Sequence, residues 1–313
     1  MNVWNALDAF PTGREPLCAT IGNFDGVHLG HQAILASVVS AAKARSAPSL
    51  LISFDPHPLA VVAPSRCPKL LQTRRQKLEC LEASGLDGML LLPFDRELAA
   101  LPGEEFFGTF LASRIRFAAV HVGSTFRFGR ARSGDIRLLE SIGARLGFSV
   151  VAVPPVNVLG ETVSSSAIRT ALEEGDVAKA RAMLGRPFSL TGEVVRGQGR
   201  GRTMEFPTAN LAVENETIPR RGVYITETLA FASRFPSISN VGTRPTFGGT
   251  DLSVESHLID ADEDLYGERI EVRFLARLRD ERTFSGPAEL ADQIARDQAA
   301  ATSYFSGLAL ARR

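Results

Sequence analysis

"LCATIGNF" (Leu17–Phe24) followed by "HQAILASVVSAAKA" (His31–Ala44) decides how this 313-residue chain begins to fold. The first piece is a short run with apolar residues on consecutive positions; the second repeats them at helical spacing. A strand apolar on both faces, followed at once by an amphipathic helix, is the building unit of a parallel sheet covered on both sides. The alternation continues with "SLLISF" (Ser49–Phe54) then "TRRQKLECLEASG" (Thr73–Gly85), and "DGMLLLPF" (Asp87–Phe94) then "GEEFFGTFLASRI" (Gly103–Ile115). "AAVHVG" (Ala118–Gly123), "GDIRLLESIGARLG" (Gly134–Gly147) and "FSVVAVP" (Phe148–Pro154) extend it. Two short helices close the pattern: "SSSAIRTALEEG" (Ser164–Gly175), with a serine cap, and "DVAKARAMLG" (Asp176–Gly185), with Asp176 capping and Gly185 terminating. Residues 1–185 therefore read as a doubly wound α/β domain.

Pro187 ends that texture. Beyond it, "FSLTGEVVRG", "RGVYITETLA", "PSISNVG", "LSVESHLID" and "IEVRFLARL" are strand-like and separated by turns. Many strands with few helices between them predict an antiparallel barrel or sandwich over residues 186–313. Ser285 at a cap position and Pro287 in the first turn predict a terminal helix on it.

Lys plus Arg (35) balance Asp plus Glu (35), which removes any general attraction to nucleic acid or anionic membrane. Cys18, Cys67 and Cys80 form neither a disulfide framework nor paired zinc spacing, which suits a reducing cytosol. The N-terminus lacks a basic start with an apolar core, and no apolar run approaches the roughly 20 residues of a membrane span. A cytoplasmic protein without membrane partners is expected.

"GNFDGVHLGH" (Gly22–His31) joins the first strand to the first helix, where sheets of this kind bind ligands. Gly26 and Gly30 let backbone approach a ligand, and the helix start offers N–H groups and a positive dipole end to a phosphate. His28 and His31 could contact charge developing at phosphorus. A metal site lacks the further ligands of H-E-x-x-H, and a plain glycine turn is the other alternative. The dinucleotide fingerprint and the P-loop are both absent. "VSSSAIR" (Val163–Arg169) puts Ser165 and Arg169 at a helix start, a second phosphate-binding arrangement or an ordinary serine cap. "SFDPHP" (Ser53–Pro58) and "GSTFRFGRARSGD" (Gly123–Asp135) follow strands at the same sheet end.

In the second domain, "GQGRGRTMEFPTANL" (Gly197–Leu211) leads a glycine-arginine loop into Thr208 and Asn210. Two residues apart on an extended segment, they point the same way and suit a hard cation such as Mg²⁺ beside phosphates. An RNA-contacting loop or a plain hairpin would use the same residues. Glu255 in "LSVESHLID" is either a solvated strand carboxylate or a base for an attacking hydroxyl.

Taken in order, "GNFDGVHLGH", "SFDPHP", "FRFG", "SSSAIR", "FPTANL", "GVYIT", "NVGTRPTF", "VESHLID", "DLYGERIEV" and "IARDQAAA" resemble the bacterial bifunctional riboflavin kinase and FAD synthetase family. His28-Leu29-Gly30-His31 resembles the H-x-G-H motif of nucleotidyltransferases. The resemblance implies an N-terminal nucleotidyltransferase domain that joins FMN to AMP from ATP. It also implies a C-terminal β-barrel that phosphorylates riboflavin with ATP and Mg²⁺. By matched position, Asn23, His28, Gly30, His31, Ser165 and Arg169 would bind ATP, with His57, Phe126 and Phe128 near the flavin. Thr208 and Asn210 would hold magnesium, Gly197, Gly199 and Arg202 would cover phosphates, and Glu255 would take the proton of the ribityl 5′-hydroxyl. No nucleic-acid partner is implied, and the oligomeric state is left open.

Three positions depart from the family pattern. Glu205 stands where the family has glycine before F-P-T-A-N, Thr125 where it has Asp or Asn, and Ser166 where it has threonine. Glu205 keeps one rival alive beside the two-step enzyme, a transferase with a weakened flavin-binding barrel, and "RGQGRGR" (Arg196–Arg202) keeps another, a flavin-sensing or RNA-binding regulator.

Overall fold

Strand β2 (Leu17–Ile21) is buried throughout, and so are the first five residues of β3 (Ser49–Asp55) and of β4 (Gly88–Pro93). Strands covered on both faces pair in parallel, and these do so with β5 (Phe117–Gly123) and β6 (Ser149–Val153). The computed structural model describes residues 1–11, 15–195, 208–246, 249–261 and 263–311, which divide into two units, Met1–Ser165 and Ser166–Arg313.

The sheet of the first unit has the order β1-β4-β3-β2-β5-β6. Its edge strand β1 (Asn2–Trp4) has no counterpart in the sequence reading: three residues carry no period, and only pairing with β4 makes them a strand. The order reverses direction between β2 and β5, so the crevice at the switch point opens beside the loops that follow those two strands.

Helices α1 (Leu29–Ala44), α2 (Pro58–Val62), α3 (Arg74–Glu82), α4 (Arg96–Ala100), α5 (Gly103–Glu105) and α6 (Ile136–Leu146) cover the sheet. Leu35 and Val38 of α1 and Leu81 of α3 fill one face, while Phe106, Phe107, Leu139 and Ile142 fill the other. Each such side chain contributes about 1.5–3 kcal/mol by burial. Helix α3 starts on a capping box: Thr73 Oγ1 accepts from Gln76 N–H at 3.2 Å, and Thr73 N–H donates to Gln76 Oε1 at 2.9 Å. A hairpin of β7 (Asn157–Val158) and β8 (Glu161–Thr162) leads into α7 (Ser165–Glu174).

Helices α7 and α8 (Val177–Leu184) form as the caps predict, with Asp176 accepting from Lys179 N–H and Gly185 in the left-handed region at φ 72°. From Ser166 onward both belong to the second unit. Helix α8 rests on strands β9 (Phe188–Val195) and β14 (Arg269–Arg279), and Arg220 N–H donates to Leu172 O at 2.8 Å.

The second unit is a closed antiparallel barrel in the order β10-β13-β12-β11-β14-β9, completed by β10 (Thr208–Val213), β11 (Gly222–Ala230), β12 (Ser233–Thr246) and β13 (Gly249–Leu258). Gly192 permits closure, because a Cβ there would collide with Ala212 O across the β9–β10 pair. Val223, Ile225, Ile238 and Leu275 on the outer wall pack under α9 (Pro287–Ala311) around Ala301. The opposite face carries Thr226, Thr228, Ser237, Ser239 and Ser256, fully buried and hydrogen-bonded to one another at 2.8–3.1 Å. Helix α9 begins at Pro287, two residues after the expected cap. Ser285 instead donates its N–H and hydroxyl to Glu289.

Candidate active sites

In the first unit, the loop Gly22–His28 links β2 to α1, and His28 is the residue that caps the helix. Its Nδ1 accepts from His31 N–H at 3.3 Å, so a neutral His28 carries its proton on Nε2, a donor suited to an anion. The His28 and His31 rings stack at 3.6 Å between centroids, and Phe24 stacks on His31 at 4.5 Å. A Cβ on Gly30 would come within 3.2 Å of the His28 ring, so this glycine makes room for the imidazole. Burial, then the neighbouring His28 and Lys77, push the His31 pKa well below its ordinary value, which leaves that ring neutral at pH 7. Its buried Nδ1 has no hydrogen-bond partner among the described residues, and the tautomer with the proton on Nε2 avoids an orphaned N–H.

Two further segments meet this loop. His57, after β3, has its Nε2 2.9 Å from the Asn23 side-chain amide, and its Nδ1 accepts from Leu59 N–H at 3.2 Å to start α2. With Nδ1 an acceptor, a proton on Nε2 is met by the Asn23 amide only with Oδ1 in the place given to Nδ2. Ser165 donates its hydroxyl proton to Asp25 O at 2.8 Å, which braces the start of α7 against the histidine loop and leaves the oxygen's lone pairs for a donor. Arg169 follows one turn later on α7, half-buried, and Ser166 is exposed.

The aromatic pair is placed differently from the histidines. Phe126 is half-buried and stacks on Phe128 at 5.4 Å, but Phe128 belongs to the core, edge-on to Phe107 and close under Gly103 and Gly134. Thr125 is exposed.

In the second unit, Thr208 and Asn210 lie on the outer wall of β10, facing His257 and Glu255 of β13 in register. Asn240 of β12 flanks Glu255 from the other side, so Asn210, Glu255 and Asn240 form one row across three strands. Thr208, Asn240, Glu255 and His257 line a cavity of 310 Å³, closed by Phe284 and by Leu290, Ile294 and Asp297 of α9. Ser253 donates its hydroxyl to Glu255 Oε1 at 3.1 Å. Asp297, 6% exposed, holds Arg279 at the cavity edge through Nε at 3.0 Å and Nη2 at 2.7 Å, and Gln293 donates to the same carboxylate. Gly197, Gly199, Arg202 and Glu205 lie outside the described residues.

The oxygen donors on this wall suit a hard divalent cation. Thr208 and Asn210 supply neutral oxygens two residues apart, with a carboxylate in register. Among the described residues no group of three or more His, Cys, Asp or Glu could cage a metal. That donor set fits Mg²⁺, which keeps water and phosphate oxygens in most of its positions.

Comparison with known proteins matches the two parts of the chain to two family models. The FAD synthetase family model matches residues 11–167, and the riboflavin kinase model matches residues 184–305. A bifunctional riboflavin kinase/FMN adenylyltransferase of Escherichia coli K12 is 39% identical over 93% of this chain and 94% of its own length. The chain belongs to this bifunctional family. A Pseudomonas fluorescens relative with the same name is 38% identical over 90% of this chain and 91% of its own. A solved Streptococcus pneumoniae structure, described as a macrolide-efflux protein, superposes with a TM-score of 0.86 at 28% identity, covering 96% of this chain and 98% of that one. No helix among the described residues is long and apolar enough to cross a membrane.

Sequence reasoning missed several residues of both sites. Lys77 reaches under the histidine loop from α3, where a lysine on an amphipathic helix reads as a solvated charge. Asn240 and His257 of the barrel wall, and the Arg279–Asp297 pair, depend on cross-strand register and on the docking of α9, which no local motif announces.

Proposed function

We propose that this chain makes FAD from riboflavin in two ATP-dependent steps, one on each unit. The observation that carries this reading is that a single chain matches both family models in series and keeps the order of its bifunctional relatives. Residue 185 serves as the working boundary, with Arg169 assigned to the first activity.

On the barrel, Glu255 takes the proton of the ribityl 5′-hydroxyl as its oxygen attacks the γ-phosphorus of ATP. The bond to the bridging oxygen breaks and ADP leaves. Thr208 and Asn210 would hold Mg²⁺, whose charge would offset that of the phosphates. Gly197, Gly199 and Arg202 cover the phosphates, and the cavity beneath α9 takes the isoalloxazine rings. In the α/β unit an FMN phosphate oxygen attacks the α-phosphorus of a second ATP, and pyrophosphate departs. His28 and His31 donate from Nε2 to oxygens whose charge grows in the transition state, and Asn23, Ser165 and Arg169 fix the nucleotide. The FMN phosphate is already ionised at pH 7, so the step needs no general base. His57 and Phe126 are assigned to the flavin side. ATP use and free thiols at Cys18, Cys67 and Cys80 support a cytoplasmic location.

The test is purified protein with riboflavin, ATP and Mg²⁺, resolving riboflavin, FMN and FAD over time. FMN should rise first and FAD follow. FAD made only from supplied FMN would replace this reading with the transferase-only one, which Glu205 favours. Formation of neither product would leave the regulator.

A further inference from the structure

Lys77 projects from α3 into the floor of the nucleotide loop. Its Nζ donates to Asn23 O at 2.6 Å and to Ser53 Oγ at 2.8 Å. Among the described residues, no carboxylate lies within ion-pair distance of this ammonium. The charged and titratable groups around it come from several elements. Asp25 on the loop after β2 has its Oδ1 accepting from Leu71 N–H, and Asp55 at the end of β3 is 3.9 Å from Arg74. His31 faces it from the start of α1. Burial outweighs the attraction of Asp25 and Asp55 and lowers the Lys77 pKa to about 8.

An ammonium holds three protons, and two are committed to neutral oxygens. A buried cation without a close anion is costly unless a ligand brings negative charge to it. The loop that Lys77 supports is the one assigned above to the phosphates of ATP. We propose that Lys77 is a positioning residue and built-in counter-cation of this nucleotide site, holding the Asn23 carbonyl while its charge is balanced by the bound polyphosphate. This rests on the adenylyltransferase reading of the first unit. It gives the loop two states: without nucleotide the lysine is partly deprotonated near pH 8, and with nucleotide it is fully charged. It also explains how His31 stays neutral beside a triphosphate, since the cationic role falls to a group behind it.

The test is calorimetric titration of the full-length protein with MgATP at pH 8.0, in buffers of different ionisation enthalpy. The terminal phosphate of ATP is already ionised at that pH. The parent protein should take up about half a proton per nucleotide at this site, falling toward zero at pH 6.5. Lys77→Met should lose that uptake and bind about ten- to a hundredfold more weakly. Lys77→Arg should lose the uptake but keep most of the affinity, because a guanidinium does not titrate in this range. The barrel's own ATP site is common to all three proteins and cancels in the differences. Uptake unchanged in Lys77→Met, or affinity equal to the parent's, would overturn the assignment of Lys77. If only the barrel's ATP binding is detected, the adenylyltransferase reading itself fails.

Discussion

The two sites are built by opposite means. In the α/β unit the central groups lie within ten residues, from Gly22 to His31, and the helix that begins there stacks His28 on His31. On the barrel the working groups come from three strands, where Asn210, Glu255 and Asn240 meet only through register. A site wound into one turn depends on local geometry and on what braces the turn. A site woven across strands depends on the whole sheet keeping its alignment.

Four substitutions test that contrast, the largest effect first. Glu255→Gln should lower FMN formation by about 10²–10⁴-fold while FAD formation from supplied FMN continues, measured by chromatography of each half-reaction. His28→Ala should do the reverse, cutting FAD formation by about 10²–10³-fold with FMN formation spared; equal loss in both would contradict two separate sites. Asp297→Asn leaves Arg279 without its carboxylate and should destabilise the barrel by about 3 kcal/mol in denaturant unfolding, with no matching loss in the α/β unit. Glu205→Gly should raise kinase turnover a few-fold if that carboxylate repels phosphate, about 1 kcal/mol in the barrier. An unchanged or lower rate would show that the barrel accommodates it.

The same contrast governs what could be read beforehand. The helix caps at Asp176 and Gly185, the strand and helix alternation and the histidine loop are local, and the chain spells them out. The barrel's existence was visible in its strand texture, and its closure and order were not, because pairing of distant strands leaves no periodic mark. Phe128 shows the limit of motif reasoning even in the α/β unit. It stands in the "FRFG" stretch, yet its ring packs into the core beneath Gly103, while Phe126 stays half-exposed. Lys77 was hidden for a related reason, since only the fold of β2 and β3 puts two oxygens within its reach.

The five buried hydroxyls on the inner face of the barrel carry one further consequence. Ser256, one of them, is the immediate neighbour of Glu255, and the two point to opposite sides of β13. A slip of one residue would trade them, sending a carboxylate into the closed interior and a serine to the outer wall. The hydroxyl lattice thus works as an error check on alignment: a misthreaded barrel pays with a buried, unmatched charge rather than with a slightly poorer fit, so a properly placed Glu255 and a folded barrel come as one event.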